Sequence, residues 1–374
     1  MALDLVLRGG RVVDPSQGID GIMDVGFEGG RVAAIDRELS GADIRDVSGQ
    51  IVTPGLIDLH THVYVGGTSL GVDPLALARG GCTTLVDTGS AGPGNYPGFR
   101  DHVVRPSPVR ILSFLNVSFA GIYAFSKRVM VGESGDLRLM APIDAVQVAR
   151  DNPDTIVGIK VRVGMHASQN SGVIPLDIAK EAAVELGLPM MVHIDHPPPT
   201  LEDVLIRMRK GDILTHCFRP FPNNPCTADG KVREAVIEAR ARGIIFDIGH
   251  GMGSFAFKTA RTMLANDFLP DCISSDVHAL CIEGPAFDLL TTMSKFLSLG
   301  VNLGDVVKAA TEAPADALRR KDLGRLQPGA AGEASILKLH QGAFDYVDST
   351  GEHMTGAQRL TASGIVINGH WSNV

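Results

Sequence analysis

The feature that most constrains the fold is an alternation of short apolar runs with helical patterns between residues 54 and about 320. The apolar runs are bounded by turn-forming residues, which is typical of buried strands, and helical spacing follows in segments such as 175–186 and 232–241. Strands that alternate with helices form parallel sheets. The runs predict eight barrel strands, near residues 56–62, 82–87, 110–117, 156–161, 190–194, 213–217, 244–249 and 272–276. We therefore predict an α/β chain folded as a (β/α)8 TIM-like barrel.

The two ends of the chain have a different pattern. Residues 1–53 contain short β-rich runs separated by Gly, Pro and Asp, and residues 321–374 contain two more, at 334–339 and 363–368. Neither segment has room for helices between its strands, so both predict hairpins. We place the domain boundaries after residues 53 and 320, with the barrel in residues 54–320.

The most specific motif is His60-Thr61-His62, which ends the first predicted barrel strand. Residues two positions apart on a strand point the same way, so the two imidazoles converge. Two neutral imidazoles that converge suit a transition metal such as zinc. A single pair of this kind is equally compatible with a hydrogen-bonded or surface feature.

Four further candidate ligands each end another apolar run: Lys160, His193, His216 and Asp276. Each one alone has an ordinary structural explanation, as a lysine that reaches water, a hydrogen-bonded histidine or a helix-capping aspartate. In a parallel barrel, however, all carboxyl ends of the strands lie on one face, where active sites are built. Their conjunction with the histidine pair therefore predicts one site.

The order of these residues, together with the stretch Val52-Thr53-Pro54-Gly55-Leu56-Ile57-Asp58-Leu59-His60-Thr61-His62, resembles the amidohydrolase superfamily. The resemblance is to its binuclear-metal dihydroorotase and hydantoinase-like branch, and it covers nearly the whole chain. It implies that residues 1–53 and 321–374 join as a small β-sandwich beside a metal-dependent barrel.

The same resemblance implies a site with two divalent metal ions, for which Zn²⁺ is expected, held by His60, His62, Lys160, His193, His216 and Asp276. Lys160 would be an N-carboxylysine that bridges the ions, and Asp276 would also be the catalytic proton acceptor. A lysine among cations and apolar walls favours its neutral amine, which can react with carbon dioxide. A metal lowers the pKa of bound water from about 15.7 towards about 7, so a metal-bridging hydroxide could attack an amide or ester carbonyl.

Departures from subfamily patterns narrow the expected reaction. Dihydroorotases carry an arginine two residues after the second histidine, where this chain has Tyr64. Deaminases use a glutamate just after the fifth strand, where this chain has Ile194-Asp195-His196 following His193. The surroundings resemble a bacterial deacetylase-like group often labelled dihydroorotase-like, which implies small N-acyl or O-acyl carboxylic acids as substrates. A cyclic-amide hydrolase is the alternative, and a non-catalytic scaffold with this fold is a further one.

Candidate substrate contacts lie near the predicted strand ends: His250, Arg219, Arg162, Tyr64 and Asn116. An arginine there could fork onto a substrate carboxylate or form an ion pair instead. Tyr123 and His278 are weaker candidates in loops, because such residues commonly satisfy turn backbone or pack at a rim.

The composition of the chain limits its expected binding partners and its expected cellular compartment. The net charge of −8 disfavours binding to nucleic acids and acidic membranes. The five cysteines show no CxxC spacing, which fits a reducing compartment, and neither a signal peptide nor a run of about 20 apolar residues is evident. We expect a cytoplasmic protein with a small-molecule substrate, and a homo-oligomer stays open.

Overall fold

The N-terminal segment forms the first strands of a β-sheet. The computed structural model describes residues 3–372 of the chain. Its first five strands are β1 (Leu3–Asp14), β2 (Ile19–Glu28), β3 (Arg31–Asp36), β4 (Gly41–Asp46) and β5 (Ile51–Pro54). Turns with left-handed glycines join them, as at Gly29 and Gly30 (φ +56° and +75°) between β2 and β3. A side chain would be strained at these positions, so glycine suits the turn.

The barrel follows one residue after β5. Seven strands pair in chain order, each parallel to its neighbour: β6 (Leu56–Thr61), β7 (Cys82–Thr88), β8 (Arg110–Asn116), β9 (Ile156–Val163), β10 (Met190–Ile194), β11 (Ile213–Leu214) and β12 (Ile245–Phe246). Each lies at a predicted position. The predicted fold class, a TIM-like barrel with a separate β-rich module, is confirmed.

The predicted eighth strand at 272–276 is not a regular strand. Isolated bridges link this stretch to Asp247, just after β12, and to Thr61, the last residue of β6. Backbone hydrogen bonds continue between the bridges, as from the N–H of Asp276 to the carbonyl oxygen of His60 at 2.7 Å. A buried polar contact also holds the segment, since the Ser275 hydroxyl donates to the carboxylate of Asp58 at 2.5 Å. The segment still closes the barrel, but as an irregular stretch.

Helices follow most barrel strands and cover the outside of the barrel. Their bounds are α1 (Pro74–Ala78), α2 (Tyr96–Phe99), α3 (Pro142–Asp151), α4 (Ile174–Leu186), α5 (Leu201–Leu205), α6 (Glu234–Ala241), α7 (Phe257–Ala265), α8 (Leu289–Ser298), α9 (Leu303–Lys308) and α10 (Glu312–Ala317). Helix α4 shows how the sequence sets such bounds: Pro175 stands in its first turn and left-handed Gly187 ends it. Within residues 3–372, no helix is both long and apolar enough to cross a membrane.

The C-terminal segment completes the sheet that the N-terminus began. Its strands are β13 (Ala334–Val347), β14 (His353–Ile367) and β15 (His370–Ser372). The sheet order is β15-β14-β13-β5-β1-β2-β3, with β4 also paired to β1. Strand β5 joins the two ends, since it pairs parallel to β1 and antiparallel to β13. Apolar residues from both ends, such as Phe27 and Ile336, share one buried cluster, which explains why the module needs both termini.

Candidate active site

One cavity of about 310 Å³ opens at the carboxyl ends of the barrel strands. Six of its lining side chains are the predicted metal ligands: His60, His62, Lys160, His193, His216 and Asp276. They come from five places in the sequence, because His60 and His62 share one strand end, and all five places lie at the same end of the barrel. The barrel geometry alone therefore brings the six together.

His60, His62 and Asp276 form the innermost group. The Nε2 atoms of His60 and His62 lie 3.3 and 3.2 Å from Oδ1 of Asp276. One ligand atom from each of the three residues lies within 4.8 Å of the others. Two imidazoles and a carboxylate at this spacing suit a zinc-like cation.

Hydrogen bonds behind His60 fix its tautomer. The Thr215 hydroxyl donates its hydrogen to Oδ2 of Asp247 at 2.7 Å, so its oxygen can only accept from Nδ1 of His60 at 2.8 Å. Nε2 of His60 therefore carries the lone pair and faces Asp276. Carboxylate-supported histidines of this kind are typical of metal ligands.

The second histidine pair lies beside the first. His216 donates from Nδ1 to the carbonyl oxygen of Gly249 at 2.7 Å, which leaves the lone pair on Nε2. That Nε2 lies 2.7 Å from Nδ1 of His193, and an ion bound by both nitrogens would replace this contact. His216 and Asp276 both have left-handed backbone (φ +67° and +49°), which costs about 1–3 kcal/mol for a non-glycine residue. Such strain is concentrated at functional sites.

Lys160 has the most unusual environment of the six. It is completely buried, and its Nζ has no hydrogen-bond partner among the described residues. Burial lowers the pKa of Lys160 to about 7, so a large share of the amine is neutral near neutral pH. A buried amine without a partner is costly, and this fits a lysine whose partner is a bound group.

The histidines are also held neutral. Burial lowers the pKa of His62 to about 3 and the pKa values of His60, His193 and His216 well below their usual range. Burial raises the pKa of Asp276 to about 6, so its carboxylate is mostly ionised at neutral pH. Neutral imidazoles, a neutral amine and a carboxylate are the protonation states that metal binding requires.

Several known proteins resemble this chain over most of its length. A deacetylase from Agrobacterium fabrum is 36% identical over 327 residues, which cover 86% of this chain and 80% of that protein. A deacetylase from Enterococcus faecalis is 29% identical over 376 residues, 99% of both chains. A solved structure described as a dihydroorotase is 32% identical with a TM-score of 0.91, and it covers 99% of this chain and 97% of its own. The chain belongs to the amidohydrolase superfamily.

Two other solved structures resemble this chain to different degrees. A solved adenine deaminase superposes with a TM-score of 0.93 at 29% identity over the full length of both chains. A D-hydantoinase has a TM-score of 0.68 at 15% identity, covering 99% of this chain and 95% of its own, so that likeness concerns the fold alone. No family model matches the sequence.

Two of the arginines that the sequence offered as candidate substrate contacts line the cavity of this amidohydrolase. Nε of Arg162 lies 3.3 Å from the buried carboxylate of Glu133, and its guanidinium lies 5.1 Å from the ring centre of Phe125. Arg219 donates to the carbonyl oxygen of Ile194. These contacts fix both side chains in the cavity wall.

The other three predicted substrate contacts do not line the cavity. Tyr64 packs its ring on Phe99 at 4.9 Å and donates to the Asn95 carbonyl oxygen at 3.2 Å. Asn116 is buried, where its amide oxygen accepts from the backbone N–H of Ser118 at 2.8 Å.

His250 is buried as well, and it lies four residues after the end of β12. Its ring stacks on Phe255 at 4.7 Å, and its Nε2 lies 2.7 Å from Nζ of Lys295. The sequence placed His250 at the barrel mouth because side chains alternate in direction along a strand. That alternation ends with β12, because Gly249 and Gly251 have left-handed backbone and turn the chain. For Tyr64, Asn116 and His250, the structure thus shows contacts inside the protein and not in the cavity.

Several cavity residues were missed or given little weight by sequence reasoning. His278 lies two positions after Asp276, and the loops after β9 and β10 contribute His166, Asp195 and His196. Each lies within six residues of a ligand, which was the available signal. Loop conformation decides which of such residues face the cavity, and sequence periodicity does not report it.

Proposed function

We propose that this amidohydrolase cleaves an amide or ester bond of a small acylated carboxylic acid in a deacetylase-like reaction that uses two divalent ions. The observation that carries the proposal is the buried, unpartnered amine of Lys160 among four histidines. A single-ion site has no need of such an amine. A carbamate on Lys160 would offer two oxygens to two cations and would account for its position. The deacetylases of A. fabrum and E. faecalis support the choice of acyl substrates.

The ligands divide into two groups by their contacts. His60, His62 and Asp276 would hold one ion, His193 and His216 the other, and Lys160 as N-carboxylysine would bind both. Zn²⁺ fits the imidazole-rich set. When bound, such ions polarise a carbonyl oxygen and lower the pKa of water.

Asp276 performs the proton transfer in this proposal. Its carboxylate takes a proton from the attacking water and returns it to the leaving nitrogen or oxygen. The loop after β12 confines the carboxylate: a Cβ atom at Gly251 would lie 2.2 Å from Oδ2 of Asp276. Glycine is needed at this approach, both for space and for its φ of +52°.

Arg162 and Arg219 bind the substrate carboxylate. Both are buried at the cavity wall, and guanidinium groups match carboxylates through forked hydrogen bonds. Apolar side chains complete the walls: Leu70, Phe125, Met130 and Met252. These walls suit the acyl group and the carbon skeleton of a small substrate.

Ring opening of a cyclic amide is the second candidate function. The solved dihydroorotase with 32% identity favours it, and the same attack on a carbonyl would serve. Against it, Tyr64 stands where dihydroorotases carry their carboxylate-binding arginine, and its side chain packs away from the cavity.

A substrate screen on zinc-loaded protein tests the proposal. The panel contains N-acetyl and O-acetyl carboxylic acids, their neutral methyl amides, dihydroorotate, hydantoins and adenine. We expect the highest kcat/KM with an acetylated acid and a clear loss with its neutral amide. A highest kcat/KM with hydantoins or dihydroorotate would replace the proposal by ring opening. Release of ammonia from adenine would replace it by deamination, and no turnover together with no bound metal would support a scaffold.

A further inference from the structure

A second group of metal-binding side chains lies at the mouth of the cavity. His166, Asp195 and His196 each present one ligand atom within 4.8 Å of the others, and all three line the cavity. They come from the loops after β9 and β10, which are joined by a bond from the N–H of Met165 to the carbonyl oxygen of His196 at 2.7 Å. None of the three belongs to the inner ligands.

Asp195 is fixed, whereas the two rings are free to adjust. The buried carboxylate of Asp195 accepts from the backbone N–H groups of His166 and Ala167 at 3.2 and 3.0 Å. The exposed rings of His166 and His196 pack edge to face at 5.2 Å. Their ring nitrogens make no hydrogen bond to any part of the chain between residues 3 and 372. Their lone pairs are therefore available.

The chemistry of the group favours a transition-metal cation. Two imidazoles and one carboxylate form a set that zinc and its neighbours bind, with bonds of about 2.0–2.2 Å. The rings would rotate inward to reach that distance, and their exposure allows it. Arg162 and Arg219 line the same cavity and repel a cation, and this repulsion is offset only in part by Asp195 and by Glu133, which pairs with Arg162. We therefore expect weaker binding at the mouth than at the inner ligands.

We propose that His166, Asp195 and His196 form a third divalent-metal site at the cavity mouth, which binds zinc weakly and slows hydrolysis when occupied. An ion there narrows the entrance and occupies space beside the two arginines. The inhibitory part rests on the proposed function, whereas the binding part does not.

Zinc titration of the zinc-loaded holoprotein by isothermal calorimetry tests the binding. The variants are His166→Gln and His196→Gln, and the control is His353→Gln. His353 is an exposed histidine 2.9 Å from the carboxylate of Asp345 in the terminal sheet, so it matches the chemistry without the third ligand. Asp195 is left unchanged because its loss would also release two backbone amides.

We expect the wild type and His353→Gln to bind one further zinc equivalent. The two mouth variants should bind it at least about 10-fold more weakly, as is usual when a metal site loses a supporting group. Equal affinity in all four proteins would overturn the site. The test compares the zinc bound by each variant with the zinc bound by the wild type. It therefore shows whether the mouth site exists, whether or not the inner ligands hold two ions.

Hydrolysis of 4-nitrophenyl acetate under the same titration tests the inhibition. Each protein is compared with its own rate before excess zinc is added. We expect the rate of the wild type and of His353→Gln to fall as the further equivalent binds, with no fall for the mouth variants over that range. Zinc binding at the mouth with a constant rate would overturn the inhibitory role. If the protein hydrolyses nothing, that role falls with the proposed function, while calorimetry still decides the site.

Discussion

Two buried lysines in this chain have opposite surroundings. Lys160 on β9 and Lys295 on α8 are both completely buried, and burial lowers the pKa of each to about 7. Nζ of Lys295 has three partners: Nε2 of His250 at 2.7 Å and the carbonyl oxygens of Pro285 and Val347 at 2.7 and 2.8 Å. Nζ of Lys160 has none among the described residues. Burial and pKa therefore do not distinguish a structural lysine from a functional one, but the hydrogen bonds do.

The partners of Lys295 explain its structural role. They belong to the loop after β12, the loop before α8 and the end of β13, so one amine ties the barrel to the terminal sheet. The network also explains why His250 does not reach the cavity. At Lys160 no group within residues 3–372 makes a hydrogen bond to the amine, so in our proposal a carbamate and two ions fill the space around it.

Removing the unpartnered amine should have the largest effect. We expect Lys160→Ala to lose metal and activity together, with metal affinity reduced by at least about 100-fold because a bridging ligand is lost. Short carboxylic acids added with zinc should restore part of both, since they supply two oxygens. Metal analysis and turnover of the same samples measure this. Full metal content in the unrescued variant would mean that Lys160 is not a ligand.

Asp276→Asn separates metal binding from proton transfer. Five of the six predicted ligands remain, so most of the metal should stay bound. Turnover should fall by about 10²-fold or more, because the amide cannot accept the proton. Metal content and kcat are measured side by side. Near-normal turnover would assign proton transfer to another residue, with His278 in the cavity wall tested next.

The two arginines should affect anionic substrates selectively. Forked, charge-assisted hydrogen bonds contribute about 1.5–3 kcal/mol, so Arg162→Met or Arg219→Met should lower kcat/KM by roughly 10- to 150-fold for acetylated acids. Neutral amides of the same acids should lose much less. Equal losses for both classes would indicate a packing defect in place of carboxylate binding.

Lys295→Met should leave metal content and substrate preference unchanged and act on stability. The pKa of Lys295 is about 7 in the folded protein and about 10.4 in an unfolded chain. Between about pH 7 and 10.4, the lysine amine is therefore protonated in the unfolded state and mostly neutral in the folded state. Wild-type stability should therefore rise with pH across about 7 to 10.4, and fall as pH drops towards 7. Denaturant titrations over this range should show the rise in the wild type and a flatter profile in the variant. Parallel profiles would contradict the depressed pKa.

The sequence predicted the inner site better than its surroundings, for a physical reason. Parallel strands bring their carboxyl ends to one face, so His193 and His216 could be assigned to the site from position alone. Lys295 gave no such signal, because a lysine in an amphipathic helix usually faces water. The irregular segment at 272–276 depends on contacts with distant residues such as Asp58, which local patterns do not contain. Contacts with distant residues also decide that Tyr64 packs on Phe99 and that His166 faces the cavity, so local patterns did not predict either position.

Carbon-13 NMR can detect the proposed carbamate on Lys160 itself. Wild type, Lys160→Ala and Lys295→Met are loaded with zinc in ¹³C-labelled bicarbonate, and their metal content is measured on the same samples. We predict one protein-bound carbamate signal in the wild type and in Lys295→Met, and its loss in Lys160→Ala. Two bound ions with no carbamate signal in the wild type, or a signal that persists in Lys160→Ala, would mean that Lys160 carries no carbamate.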